Sequence, residues 1–182
     1  MKITMKSTQG IGIWVALIVY MIGAWPTASM TPAHAAKTTT VEATVTFSGP
    51  RPTTLPGGDD ERHLVGLGQR TGEAVFNDGR NAKYSNVFLM DLYRGKSVSI
   101  WGYTKMLFKD GSWFFFKWDS QFAGRDEAGK PMYKGTGTIL KGTGLYQGIK
   151  GTAKYRNRQL PPSKKHPKGA TEAKVEFTYT LP

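Results

Sequence analysis

The sequence contains no cysteine, only three histidines and no segment with sustained helical periodicity. Without cysteine the chain can form no disulfide, thiol nucleophile or thiolate metal site. Metal sites need clustered His, Cys or carboxylate ligands, and His63 and His166 lie far apart along the chain. The acidic run Asp59–Glu61 lacks the ligand spacing of an EF-hand. We therefore expect a solvated loop there, no bound metal and no cofactor.

Recognisable catalytic and nucleotide-binding motifs are also missing. There is no Gly-x-Ser-x-Gly nucleophile elbow and no phosphate-binding P-loop. The glycines of Gly142–Gly148 have the wrong spacing for a dinucleotide fingerprint, and no Rossmann helix follows them. These absences favour a protein that is not an enzyme, although residue counts alone do not exclude a Ser-His-acid triad.

Residues 1–35 have the pattern of a secretory signal peptide. They contain no acidic residue, begin with Lys2 and Lys6, and continue with an uncharged apolar run over 11–25. Ala33-His34-Ala35 fits the small-x-small cleavage site of such peptides. Because the apolar run is shorter than the ~20 residues of a spanning helix, we expect cleavage rather than an uncleaved anchor. The expected location is the periplasm or the extracellular medium.

Cleavage would leave a single basic domain, residues 36–182, with no transmembrane segment. Its 23 Lys and Arg against 13 Asp and Glu give a net charge of +10. A chain of 147 residues is long enough for one domain with its own core. The charge suits anionic partners, but nucleic acid is not the expected one, because the signal directs the protein out of the cytoplasm.

The mature sequence has β character almost throughout. In Thr40–Phe47, apolar and polar residues alternate as in a half-buried strand. The other predicted strands are His63–Gly68, Glu73–Phe76, Asn86–Tyr93, Ser97–Phe108, Ser112–Phe122, Met132–Leu140, Gly151–Arg158 and Thr171–Thr180. Ser48–Asp60 is predicted to be a loop, and turn residues cluster at 77–79, 94–96 and 110–111. About eight strands with short connections favour an all-β fold, a small and mostly antiparallel β-barrel, with a sandwich as the main rival.

The stretch from Lys134 to Tyr155 reads KGTGTILKGTGLYQGIKGTAKY and contains three Gly-Thr pairs, at positions 135, 142 and 151. The first and last pairs lie in predicted strands. The middle pair, with Gly144, predicts a turn into one irregular or helical turn before the next strand. Glycine within a strand marks a bend or a close backbone approach, which a curled sheet requires.

The segment KGTGLYQGIKGTAKY, the basic loop after it and the closing strand VEFTYTLP resemble the C-terminal half of allene oxide cyclase-like β-barrels. The resemblance covers Ser112–Pro182, extends to uncharacterised secreted bacterial proteins, and is shared with dirigent-type and calycin-like barrels. It implies a barrel around an apolar interior. Allene oxide cyclases use an early-strand glutamate and polar groups that hold a water, and Glu42 is an acid in the first strand here. The rest of that catalytic pattern is absent, so the resemblance does not extend to the activity.

A cavity in such a barrel would need aromatic walls with a few polar groups. The predicted ligand-binding residues are Trp101, Tyr103, Trp113, Phe115 and Tyr133. The alternative is that the aromatic side chains simply fill an eight-stranded barrel, which is only just wide enough to hold them.

An enzyme of this type would be an isomerase or cyclase acting on a lipid-derived substrate, and it would need an inward ionisable group. The candidate catalytic residues are Glu42, Asp91 and Asp119. In a dry cavity the pKa of such a carboxyl would be raised, which suits an acid or base. An outward, solvated position is the commoner explanation for each.

The sequence WFFFKW is apolar on both faces of its predicted strand. Trp113 and Phe115 share one face, and Phe114, Phe116 and Trp118 share the other. Because large exposed apolar patches usually mark interfaces, the outer face predicts a homo-oligomer. The alternative is a local loop that covers the strand.

The segment Lys154–Lys168 is rich in lysine, arginine and proline and is predicted to be an extended loop. The residues expected to contact an anionic surface are Arg156, Arg158, Lys164, Lys165 and Lys168. Such a run suits phospholipid or polyanionic glycans, although a solvated loop explains it as well. Three functions therefore remain: a binder of a small apolar or amphipathic ligand, which we favour, an isomerase or cyclase, and an envelope protein that binds anionic surfaces.

Overall fold

The computed structural model describes residues 37–94 and 97–182, so the proposed signal peptide and the predicted turn at Gly95-Lys96 lie outside it. The described residues form nine strands and one turn of 3₁₀ helix at Gly144–Tyr146. The strands are β1 Thr38–Ser48, β2 Thr53–Pro56, β3 His63–Phe76, β4 Asn81–Tyr93, β5 Ser97–Phe108, β6 Trp113–Arg125, β7 Pro131–Thr143, β8 Lys150–Leu160 and β9 Ala170–Thr180. In this part of the chain, no helix has the length and apolar character needed to cross a membrane.

Eight of the strands close into an antiparallel barrel. They follow one another in the order β1-β9-β8-β7-β6-β5-β4-β3, and β3 pairs back with β1. β1 pairs with the second half of β3, and β2 pairs with its first half. The predicted barrel is thereby confirmed, because the sheet closes on itself instead of forming two packed layers.

Two segments near the start of the domain differ from the prediction. Ser48–Asp60 contains the short strand β2, and His63–Phe76 is one continuous strand rather than two. Gly72 lies where the break was predicted, but a Cβ added to it would be only 2.1 Å from the carbonyl oxygen of Thr46. Glycine therefore permits close pairing of β3 with β1 at this point and does not interrupt the strand.

The glycine-punctuated stretch adopts the predicted form. Gly135 lies within β7 and Gly151 within β8, and the 3₁₀ turn between these strands begins at Gly144. The φ angle of Gly144 is +59°, a value that residues with a Cβ rarely adopt. β8 continues to Leu160, so the basic loop that follows is shorter than predicted.

One end of the barrel is filled by aromatic side chains. Six of them contact one another with ring centroids 4.8–6.5 Å apart: Phe76, Phe108, Phe114, Tyr146, Phe177 and Tyr179. The guanidinium of Arg80 lies over the rings of Phe76 and Phe108 and pairs with Asp78 at 2.5 Å. This end agrees with the expectation of a barrel filled by its own side chains.

Candidate functional site

The opposite end of the barrel contains a cavity of about 310 Å³. All eight barrel strands contribute inward side chains to its wall. The apolar part of the wall includes Val45, Phe88, Ile100, Met106 and Phe116. The volume is at the lower end of the range for small-molecule sites, which extends from about 300 to 1,000 Å³.

On two strands the inward side chains become smaller toward this end, which helps to leave the cavity open. On β9, Phe177 and Tyr179 fill the packed end, whereas Ala173 and Val175 line the cavity. On β6, the inward series likewise ends with the small side chain of Ser120. Since an eight-stranded barrel is only just filled by large residues, a few small ones are enough to leave space.

Part of the polar wall is already satisfied by internal hydrogen bonds. The hydroxyl oxygen of Thr104 accepts hydrogen bonds from Trp118 Nε1 and from Asn86 Nδ2, each at 3.0 Å. The hydroxyl of Tyr155 donates to the backbone carbonyl of Asp119 at 2.6 Å. These bonds fix the side chains and leave them little capacity to respond to a ligand.

Arg70 is the only charged residue among those that line this cavity in the described chain. Its guanidinium lies over the rings of Phe88 and Phe47, with Cζ 4.6 and 5.5 Å from their centroids. The side chain of Arg70 forms no hydrogen bond or ion pair with any residue in 37–94 or 97–182. Desolvation lowers the pKa of Arg70 from its usual value, yet an arginine keeps its charge in proteins.

A second polar group in the wall also lacks a partner. Asn157 Oδ1 is buried and accepts no hydrogen bond from the described residues. Tyr84 also lines the cavity, and burial raises the pKa of its hydroxyl to about 12. At neutral pH this tyrosine therefore keeps its proton and can donate a hydrogen bond. The cavity thus combines apolar surface, one cation and few free polar groups.

The five aromatic residues predicted to bind a ligand divide between the two faces of the barrel. Tyr133 lines the cavity. Trp101, Tyr103, Trp113 and Phe115 alternate with buried residues and lie on the outer face. They are therefore not cavity-wall residues, and any binding role for them would be on the outside of the barrel.

The outer face around WFFFKW is partly covered by side chains from neighbouring strands. The rings of Tyr103 and Phe115 stack at 5.6 Å. The ammonium groups of Lys105 and Lys141 lie 4.9 and 6.0 Å from the Trp113 ring. Side chains of neighbouring strands therefore give this face part of its cover. Its role as a subunit interface stays a prediction.

None of the three candidate catalytic carboxylates is among the cavity-lining residues. The side chains of Glu42 and Asp119 are exposed, and Asp119 accepts a hydrogen bond from Thr136 at 3.1 Å. Asp91 is bonded to His63 Nε2 at 2.9 Å. Both Glu42 and Asp119 line a second, more open concavity on the outer wall of the barrel, which has a volume of about 890 Å³. The inward carboxylate required by the enzyme hypothesis is therefore not supplied by these residues.

His63 is held between two carboxylates next to the β2–β3 connection. Nδ1 is 2.5 Å from Asp59 Oδ1, and Nε2 is 2.9 Å from Asp91 Oδ1. The hydroxyl of Tyr93 donates to Asp59, and its ring stacks on the imidazole at 4.3 Å. Since only an imidazolium can donate from both nitrogens, this geometry fits protonated His63. Among residues 37–94 and 97–182, no group of three or more potential ligands is arranged to hold a metal ion.

This arrangement predicts a pH dependence of stability. Hydrogen bonds with Asp59 and then Asp91 raise the pKa of His63 above its usual value of 6.5. The stabilisation that protonated His63 gives the folded state is therefore fully present below pH 6.5. It is lost as the pH rises through the raised pKa of His63. We expect the melting temperature to fall across this range in the natural chain and to fall less in His63→Gln. Parallel melting curves against pH for the two proteins would contradict the assignment.

The basic residues predicted to contact an anionic surface lie in two structural settings. Arg156 and Arg158 project from the outer face of β8, as the predicted strand Gly151–Arg158 implies, and are not part of the loop that was also predicted from Lys154. Arg158 pairs with Glu172 at 2.9 Å, and Lys165 in the following loop pairs with Glu73 at 2.9 Å. Lys164 and Lys168 are exposed in the same loop. A role for this group in binding anionic surfaces stays a prediction.

One row of positive charge on the outer face was not predicted from the sequence. Lys134, Arg156 and Lys174 are register partners on the adjacent strands β7, β8 and β9. Like charges directly opposite one another destabilise a sheet. An anion bound over the row would offset this repulsion. The row is therefore a second reason to test anionic partners, in addition to the loop.

No family model and no curated protein matches the chain. Among solved structures, it is similar to the pterocarpan synthase dirigent protein PsPTS1, with a TM-score of 0.44 and 16% identity over 80% of this chain and 97% of that one. It is similar to the pterocarpan synthase dirigent protein GePTS1 with a TM-score of 0.44 and 15% identity, over 81% and 94% of the two chains. Dirigent-type barrels are one of the groups that share the resemblance described above. A TM-score of 0.44 is too low for either likeness to bear on ligand or activity.

Proposed function

We propose that this protein is an exported binder of a small apolar or amphipathic molecule, which it holds in the barrel cavity. The observation that carries the proposal is a hollow of about 310 Å³ in a barrel whose other end is closely packed. Apolar walls with a few fixed polar groups are typical of small-molecule sites. Export rests on the signal-peptide pattern of residues 1–35.

The chemistry of the wall supports binding over catalysis. The cavity-lining residues of the described chain include no Asp, Glu or His. Burial raises the pKa values of Tyr84 and Tyr155, so these tyrosines are poor proton acceptors at neutral pH. An isomerase or cyclase would need a group that titrates nearer to neutrality.

The proposal predicts that filling the cavity will abolish binding. Ala173 is buried in the wall, and Ala173→Leu would place a larger apolar side chain in the space that a ligand needs. With 4-phenylbutan-1-ol as the probe, calorimetric titration of the full chain should give one site per chain. The variant should bind at least about tenfold more weakly, since the probe and the leucine compete for one small volume.

The neighbouring residue provides a matched control. Lys174 lies on the outer face of the same strand, where its ammonium donates to the hydroxyl of Thr44 at 2.8 Å. Lys174→Leu introduces the same side chain outside the barrel and should leave the affinity unchanged. Melting curves establish that each variant is folded. Equal affinities for Ala173→Leu and the natural chain, or no binding by the natural chain, would contradict the proposal.

A further inference from the structure

We infer that the ligand is an amphipathic carboxylate whose acid group is bound by Arg70, an inference that rests on the proposed function. Arg70 lies on β3 and points inward with its i±2 neighbours Gly68 and Gly72. It brings a positive charge into a wall that is otherwise uncharged in the described chain. The inference therefore concerns both the sign of the charge on the ligand's polar end and the geometry of that end.

No described residue of the wall balances the charge of Arg70. A partly buried cation is costly unless it is paired and hydrogen-bonded. The guanidinium of Arg70 has no carboxylate within ion-pair distance among residues 37–94 and 97–182. The rings of Phe47 and Phe88 stabilise the cation through their faces but supply no oxygen acceptor for its N–H groups. A ligand carboxylate would provide both the missing charge and the missing acceptors.

The form of the guanidinium also favours a carboxylate. Its planar N–H fork matches the two oxygens of a carboxylate in a bidentate pair. The two ring contacts restrain the Arg70 side chain, so less conformational entropy is lost on binding. Charge-assisted bonds of this kind are about twice as strong as neutral ones.

The rest of the wall determines what the acid is attached to. Ile100, Met106, Phe116 and Val175 offer apolar surface within the same cavity. The buried Asn157 Oδ1 is an acceptor with no partner, so a hydroxyl or N–H on the ligand would complete it. A small acid with an apolar or aromatic body and one hydrogen-bond donor fits both features.

A matched pair of probes tests the inference without any substitution. 4-Phenylbutyrate and 4-phenylbutan-1-ol share the apolar body and differ in the polar end. At pH 7 the full chain should bind the acid at least about tenfold more tightly than the alcohol, because only the carboxylate forms charge-assisted bonds with Arg70. An acid that binds no more tightly than the alcohol would overturn the inference.

Two variants test whether Arg70 causes the preference for the acid over the alcohol. Arg70→Gln should remove the preference for the acid while it keeps the affinity for the alcohol, which also shows that the cavity is still formed. Lys83→Gln removes one positive charge from the outer face of β4 and should leave the preference intact. A preference that persists in Arg70→Gln would overturn the assignment. If neither probe binds the natural chain, the proposed function fails; if both bind equally, only the carboxylate inference fails.

Discussion

Replacing Phe114 with alanine should lower the free energy of unfolding by about 3–5 kcal/mol, the usual cost of removing a buried phenylalanine side chain. Phe114 is 2% exposed and lies at the centre of the packed end of the barrel. Its ring is 5.2 Å from both Tyr146 and Phe177. The loss has two parts, the apolar surface returned to water and the space left among rigid neighbours. Urea unfolding at equilibrium measures the change.

The adjacent residue is the control for this substitution. Phe115 lies on the outer face, where it stacks on Tyr103. Because Phe115 is only partly buried, Phe115→Ala should cost less, about 1–2 kcal/mol from the lost ring pair and the smaller apolar area. If the two alanine variants lose the same stability, the assignment of inward and outward faces along β6 is wrong.

Replacing Gly135 with alanine should destabilise the barrel by about 3 kcal/mol or more, well above the typical effect of a point substitution. An added Cβ would lie 1.9 Å from the carbonyl oxygen of Asp119 and 2.5 Å from the hydroxyl of Tyr155. Those two atoms form the hydrogen bond between β6 and β8 that passes over the glycine. The methyl group cannot be accommodated without separating β6 from β7. Thermal and urea unfolding both report the effect.

Gly66 offers a matched comparison on another strand. The nearest atoms to a Cβ added there are the terminal methyl of Met90, at 3.0 Å, and the methyl of Thr54, at 3.2 Å. These are side-chain atoms, and the end of the Met90 side chain can move. Gly66→Ala should therefore change stability by no more than about 1 kcal/mol. Similar losses at Gly66 and Gly135 would contradict the role assigned to Gly135.

The strand pattern and the barrel could be predicted from the sequence because the two faces alternate clearly. Thr40–Phe47 places its apolar residues at every second position, and the same is true of the final strand. The turn at Asn77-Asp78-Gly79 and the 3₁₀ turn at Gly144 were predicted from residues that favour those backbone angles. These features are local, so short sequence windows contain the information.

The inward face of β5 could not be predicted, because it depends on packing between strands. Trp101 and Tyr103 look like wall residues by type, yet Gly102 and Thr104 face inward. A Cβ on Gly102 would lie 2.8 Å from the indole of Trp118, which occupies the space that glycine leaves. The indole of Trp118 on β6 therefore occupies the space beside Gly102, and the two aromatic residues of β5 lie on the outer face.

Arg70 was missed because it lies in a segment that was predicted to break the strand. Counting back from Phe76 by two residues places Ala74, Gly72 and then Arg70 on the inward face. A continuous strand would therefore have indicated an inward arginine. That the Arg70 side chain has no hydrogen-bond or ion-pair partner in the described chain can be seen only once all eight strands of the barrel are in place.

The most direct test of the central claim is to locate a bound ligand by methyl NMR of the full chain with 4-phenylbutan-1-ol. Val45 and Ile100 report on the cavity, and Val87 and Leu140 report on the outer face. Cavity binding predicts nuclear Overhauser effects from the probe to Val45 and Ile100 and none to Val87 and Leu140. Contacts confined to Val87 and Leu140 would contradict a ligand site inside the barrel.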